Sequence, residues 1–311
     1  MTCIIPVELS GQRLDQALAA LYPEFSRSRL QQWLRAGHVL VDGVSLPAKT
    51  KVVGGEAVVV QAQPAVDVTV CVAEPITLDV VFEDEQLLVL NKPAGLVMHP
   101  AAGNYQGTLQ NGLLHYDARL VDVPRSGIVH RLDKDTTGLV VIAKTLVAHQ
   151  SLVTQLQARS VKRVYEAVVV GDFIAGGTVS APIGRHAVDR KRMAVRSDGK
   201  EAITHYRILR RFGGYTHIQL RLETGRTHQI RVHMAHMRSP VVGDPVYGGR
   251  LRLPKGADQT VIDTLRHFKR QALHAVQLSL LHPVTGEALQ WQVPLPADMQ
   301  HLLAVLCEAY Q

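Results

Sequence analysis

The sequence predicts two domains, a small α/β unit at the front and a larger α+β domain whose sheet is mixed and largely antiparallel. Three observations carry this reading. A chain of 311 residues is longer than one small module needs. Residues 1–62 hold two short amphipathic helix patterns followed by hairpin signals. From about residue 77 onward, strand-like runs outnumber helical patterns and lack the regular β–α alternation of a parallel sheet. With 46% hydrophobic and 20% charged residues, disorder and fibrous repeats are excluded.

In the front unit, Leu14, Ala17, Leu18 and Leu21 follow the i, i+3, i+4, i+7 spacing of a helix. Leu30, Trp33 and Leu34 repeat it, with Ser26 as a cap and Gly37 as the stop. Val39–Val41, a turn at Asp42-Gly43 and Val44 read as a hairpin, and Val58–Val60 as a further strand. Residues 63–76, with Pro64 and Pro75, read as a connection, and 77–311 as the second domain. There, strands are expected at Val80–Phe82, Leu87–Leu90, Gly138–Ala143, Tyr165–Val170, Thr204–Leu209, His217–Leu222 and Ala288–Val293. Asn91-Lys92-Pro93-Ala94-Gly95 reads as a loop. Helices are expected at Thr108–Leu114, Ala148–Ala158, Thr260–Phe268 and Met299–Ala309.

The net charge of +7 is unevenly placed. Residues 1–159 carry 13 Lys and Arg against 15 Asp and Glu, residues 160–275 carry 21 against 9, and residues 276–311 carry 0 against 3. A block of +12 attracts polyanions, and nucleic acid is the natural first partner. No apolar run approaches the roughly 18 residues of a membrane span, and the N-terminus lacks a basic, apolar leader. Cys3, Cys71 and Cys307 are scattered and odd in number, which fits reduced thiols, so a cytoplasmic location is expected.

Two segments concentrate chemistry. In Gly127–Lys144, His130, Arg131, Asp133, Lys134 and Asp135 lie between two apolar runs, and charge beside a core points to a site. In Glu223–His236, His228, His233 and His236 invite a metal reading, but their spacing fits neither a helical zinc pair nor a closed structural site. Arg226 and Arg231, interleaved with them, better suit phosphate or carboxylate recognition. Asp133 and Asp135 as a sugar-hydrolase pair find no further support, because residues i and i+2 need not share a cleft.

Residues 11–60, through "RLDQALA", "SRSRLQQWLRAGHVLVDG" and "GGEAVVV", resemble the S-four-like (alpha-L) RNA-binding domain. That resemblance makes Arg27, Arg29, Arg35, Lys49 and Lys51 the candidate RNA contacts. "LNKPAGLVMHP", "HRLDKDTTGLVVIAKT", "RVYEAVVVG", "LETGRTHQIRVHMAH" and "VGDPVYGG" resemble the RluA/RluD group of pseudouridine synthases, which act on structured RNA. The resemblance implies a catalytic domain on a long, bent mixed sheet with RNA along a central cleft. It implies large-subunit (23S) ribosomal RNA as partner, a monomer, and neither metal nor other cofactor. Residue by residue, it makes Asp133 the catalytic carboxylate and Arg131 the side chain that takes the place of a flipped uridine. Tyr165 stacks on the uracil and takes the C5 proton, Arg231 pairs with Asp133, and Ile230 lies against the base. His130 orients the loop, and His130 and Arg226 join the substrate site. A bidentate arginine opposite the aspartate is expected, since a carboxylate nucleophile in a dry pocket needs a cation beside it. A relative with another ribosomal or transfer RNA target, and a noncatalytic ribosome-assembly factor, remain the alternatives.

Overall fold

The computed structural model describes residues 1–23, 25, 27–61, 71–101, 104–254 and 256–310, with only the backbone of Ser28, Arg29 and Gln32. The chain divides into two units, Met1–Val70 and Cys71–Gln311. Strand β1 (Thr2–Ile4), helices α1 (Leu14–Leu21) and α2 (Arg27–Arg35), and strands β2 (Val39–Val41) and β3 (Ala57–Val60) build the first. Its sheet runs β1-β3-β2, all antiparallel. The expected apolar positions of both helices, Leu14, Leu18, Leu30 and Trp33 among them, bury against Val39, Val41, Val58 and Val60. Asp42 and Gly43 both adopt positive φ at the expected turn, but Val44 makes only a single bridge to Val41, and β2 pairs with β3 instead. The Ser26 cap lies outside the described residues.

The second unit is built from β4 (Val80–Glu83), β5 (Leu87–Lys92), α3 (Leu109–Tyr116), β6 (Thr137–Ala143), α4 (Leu146–Gln157) and β7 (Lys162–Val170). There follow β8 (Gly177–Ser180), β9 (Ile183–Arg185), β10 (Met193–Val195), β11 (Ile203–Arg211), β12 (Tyr215–Leu222) and α5 (Gln229–His236). The unit ends with α6 (Gln259–His267), β13 (Leu273–Leu281), β14 (Ala288–Gln292) and α7 (Ala297–Ala309). Among the described residues, nine strands form one sheet in the order β4-β5-β6-β13-β7-β12-β11-β8, with β14 also on β13. Only β6 and β13 run parallel, which gives the mixed, largely antiparallel α+β sheet expected from the sequence. Thr108, Thr145 and Asp258 cap α3, α4 and α6 by accepting backbone N–H bonds. Residues 62–70, which include the whole first half of the expected connection, lie outside the described residues. Its second half is tied to the large unit: Asn111 Nδ2 donates to Val72 O at 2.7 Å, and the Glu74 carboxylate accepts from Gly107 N.

Two central elements were not expected from the sequence, β13 and α5, and β5 extends through Lys92 where a loop was read. Strand β13 places the site. Gly138 on β6 pairs with Ala275, Ala275 with Tyr165 on β7, and Tyr165 with Leu220 on β12, so four strands share one row beside the turn that carries Asp133. Gly138 has φ 109°, and a Cβ there would lie 2.3 Å from Ala275 O. Gly138→Ala is therefore expected to cost about 2–4 kcal/mol of unfolding free energy. Urea denaturation reads this directly, and an unchanged midpoint would contradict the close approach of these strands.

Candidate active site

Asp133 sits at the first corner of a tight turn, closed by Thr136 N donating to Asp133 O at 3.1 Å, just before β6. Three side chains grip this turn from behind. Lys92 Nζ donates to Lys134 O at 2.8 Å, and also to Pro93 O and Leu96 O. Arg270 Nη1 reaches Asp135 O at 3.3 Å, and Gln271 Nε2 reaches Thr136 Oγ1 at 3.0 Å. Lys92 and Gln271 are fully buried. Burial lowers the Lys92 ammonium to about 8, against the pull of Asp135 and Asp133. His130, one turn earlier in the loop, accepts the Val141 N–H on Nε2 at 3.0 Å and so anchors the loop to β6. Burial, aided by Arg163, holds its imidazole neutral, at about 3.

The opposite wall is α5. Its side chains Gln229 to Met234 are all buried. Arg231 points one nitrogen, Nη1, at Asp133 Oδ2 (2.9 Å) and the other two, Nε and Nη2, at Asp244 (2.6 and 2.9 Å). The bidentate grip expected on Asp133 is thus spent on Asp244, and Asp133 receives a single bond. Burial opposes the charge on Arg231, but the two carboxylates outweigh it and raise it above its ordinary value. Asp244 also accepts the backbone N–H groups of Val246 and Tyr247, which together with Arg231 hold it below the usual carboxylate range despite its burial.

Between these walls lies a cleft of about 600 Å³. Tyr165, 5% exposed, lines it together with Ile230, Arg131, Arg226, His130 and His228. Burial pushes the Tyr165 phenol up. Arg131 is exposed and, among the described residues, forms no ion pair, either with Asp133 or with Asp135. Arg226 Nε donates to Glu201 O at 2.9 Å. The three histidines do not converge. His233 is buried against Thr204 Oγ1 and Ala181 O and His236 is exposed, while His228 faces the cleft with Nε2 3.9 Å from Asp133 Oδ1. His228 caps α5 in a left-handed conformation (φ 56°), held by a 2.8 Å bond between Nδ1 and Tyr247 Oη, and burial keeps its imidazole below the ordinary range. On the far rim Arg125 and Ser126 also adopt positive φ, 54° and 51°. Lys92, Asp244, Tyr247 and His228 are the site-building residues the sequence reading left without these roles.

Comparison with known proteins fixes the family. The family model described as RNA pseudouridylate synthase matches residues 86–236, and the S4 domain matches residues 12–58. "Ribosomal large subunit pseudouridine synthase D" of Pseudomonas aeruginosa is 56% identical over 97% of this chain and 94% of its own length. The chain belongs to the RNA pseudouridylate synthase family. It is 54% identical to the Escherichia coli K12 protein of the same name, over 98% of this chain and 94% of that one. Among solved structures, "Human RNA Pseudouridylate Synthase Domain Containing 4" superposes with a TM-score of 0.58 at 26% identity, covering 74% of this chain and 93% of that one. This pseudouridine synthase is therefore an isomerase with an S4 domain in front of its catalytic domain.

In the S4 domain, Asp15 is fully buried and receives Arg13, Arg27 and Gln31. Burial alone would raise its carboxyl, but these donors outweigh it and hold it at about 2. Arg27 thus has Nε and Nη2 engaged within the domain. Arg35, Lys49 and Lys51 are exposed and, among the described residues, unpaired, while the Arg29 side chain lies outside the described residues.

Two stability effects follow from this synthase's buried groups. Asp244→Ala would leave Arg231 buried with one partner, an expected loss of about 3–5 kcal/mol in chemical denaturation, and a loss under 1 kcal/mol would contradict the pairing. Burial lowers His99 and His274 to about 4 and His130 to about 3, from an ordinary 6.5. Below pH 6.5 the unfolded chain takes up protons that the folded one refuses, so stability falls as pH drops toward 4, by up to about 1.4 kcal/mol per pH unit for each ring. Thermal unfolding between pH 7.5 and 4.5 measures this, and a flat profile would refute three neutral rings.

Proposed function

We propose that this synthase converts uridines of large-subunit (23S) ribosomal RNA to pseudouridine. The reading is carried by near full-length identity of 54–56% to relatives named for that substrate. The S4 domain, read as residues 1–62, would add RNA contacts through Arg35, Lys49 and Lys51, with residues 63–76 connecting it to the catalytic domain 77–311. The enzyme would act as a monomer in the cytoplasm, where ribosomes mature.

Asp133 starts the reaction. Pseudouridine formation breaks N1–C1′, turns the base and joins C5 to C1′ without redox change, so a carboxylate as nucleophile or as base for the 2′ proton is sufficient. Arg231 contacts Asp133 through one oxygen only, which leaves Oδ1, 3.9 Å from His228 Nε2, without a hydrogen bond among the described residues. Tyr165 forms the platform against the uracil and takes up the C5 proton, and Ile230 closes the other face. A uridine must leave its stack to arrive there, at a cost of a few kcal/mol that is smallest for a loop base. Arg131, exposed and unpaired at the rim, is free to enter the stack in its place.

The test is a map of pseudouridine in ribosomal RNA from cells lacking the protein and complemented with wild type or Asp133→Asn. Loss confined to specific large-subunit uridines, restored only by wild type, is expected. The purified D133N protein should lose at least ~10³-fold in turnover while binding RNA within a few-fold of wild type. Pseudouridine formation by D133N would sink the assignment, and modification confined to transfer RNA would move the substrate.

A further inference from the structure

The cleft holds one buried cation that the ion pairs above leave out. Arg163, on β7 two residues before Tyr165 and on the same face of the strand, lines the cleft and is 8% exposed. Among the described residues it has no hydrogen bond and no ion pair, and its Nε is sealed from solvent with no acceptor. Arg231, buried to the same degree, engages two carboxylates. A guanidinium is costly to bury alone, and a folded chain that keeps one so is missing its counter-ion.

The guanidinium lies against backbone at the cleft wall: a Cβ on Gly225 would lie 2.8 Å from Arg163 Nη1, and both residues line the cleft. Among the described residues no carboxylate pairs with it: Glu223, which lines the same cleft, is turned to His205 and Arg159. His130, also close enough to feel the charge, is neutral and accepts the Val141 N–H on Nε2.

We propose that Arg163 is a phosphate-binding residue of the substrate site, receiving a phosphodiester that flanks the uridine drawn into the cleft. This rests on the proposed RNA substrate. Of the groups such a substrate brings, a uracil carbonyl satisfies an N–H but leaves the charge unpaired, whereas a phosphate supplies both acceptors and countercharge in the forked geometry a guanidinium matches. The contact would hold the flipped nucleotide by its backbone while Tyr165, one row further along the strand, meets the base.

The experiment is a cycle on the full chain. Wild type, Arg163→Met and Arg163→Lys are assayed for turnover on a ribosomal stem-loop RNA that wild type modifies, made with native phosphates or with one methylphosphonate on either side of the target uridine. Neutralising one of the two phosphates should raise the wild-type KM about tenfold or more. R163M should show that same rise on native RNA and no further rise on the neutralised RNA, and R163K should recover part of it. The melting temperature of R163M should equal or exceed that of wild type, since an unpaired buried charge is replaced by an apolar chain of similar length. Additive losses, an unchanged KM, or a lowered melting temperature or failure to fold would overturn the proposal and make Arg163 a structural residue. Absence of wild-type turnover on any ribosomal RNA would instead overturn the proposed function.

Discussion

The arrangement of this molecule's site depends on how one buried guanidinium divides its nitrogens. Arg231 gives Nε and Nη2 to Asp244 and Nη1 to Asp133. The two-point grip fixes the plane of the group, because Asp244 is itself held by two backbone N–H bonds from Val246 and Tyr247. With the plane fixed, Nη1 has one direction, and that direction ends on Asp133 Oδ2. A flexible lysine in its place would supply charge without orientation. Had the fork closed on Asp133, both of its oxygens would be engaged. Asp244 therefore takes the bidentate partner so that Asp133 does not have to.

Orientation from one side is not enough, and the turn bearing Asp133 is fixed from the other. Lys92, Arg270 and Gln271 bond two of its carbonyls and the Thr136 hydroxyl, and they come from the end of β5 and the segment just before β13. The antiparallel pairing of β5 with β6 and the parallel pairing of β6 with β13 bring those two segments behind the same turn. Local strain lies around this frame and not within it. Around the cleft, the left-handed non-glycine residues among those described are Arg125, Ser126, Arg159 and His228. Such conformations persist where surrounding contacts over-determine them, and at His228 the bond to Tyr247 supplies that constraint.

What was legible in the sequence follows the same physics. Helices with one buried face were readable, α1, α3, α6 and α7 included, because a 3.6-residue pattern exists only when the other face meets water. Helix α5 was not, since Gln229, Arg231 and His233 are buried alongside Ile230, Val232 and Met234, which erases the pattern. Strand β13 failed for a related reason: it lies at the centre of the sheet, paired on both sides, and its early residues are buried on both faces. Asp133, Tyr165, Ile230 and Arg231 were legible through motif likeness, and the structure brings them to one cleft. Asp244 was hidden in "VGDPVYGG", where an aspartate before proline already has a sufficient local explanation as a turn former. Its bond to Arg231 spans 13 residues and has no periodic signature.

The charge count shows the same limit. The +12 block announced a polyanion, but charge per segment does not separate cations that hold the protein from cations that await a ligand. The cleft does. Arg231 is committed to two carboxylates, Arg159 to Glu201 and Glu223, and Arg226 to the Glu201 carbonyl. Arg125, Arg131 and Arg163 line the same cleft with no such partner among the described residues. Two of these lie in the half of the chain whose net charge is −2, outside the basic block altogether. A cation's availability is set by whether the fold has already answered its charge, and that is a property of contacts across strands and loops, which no count along the chain contains.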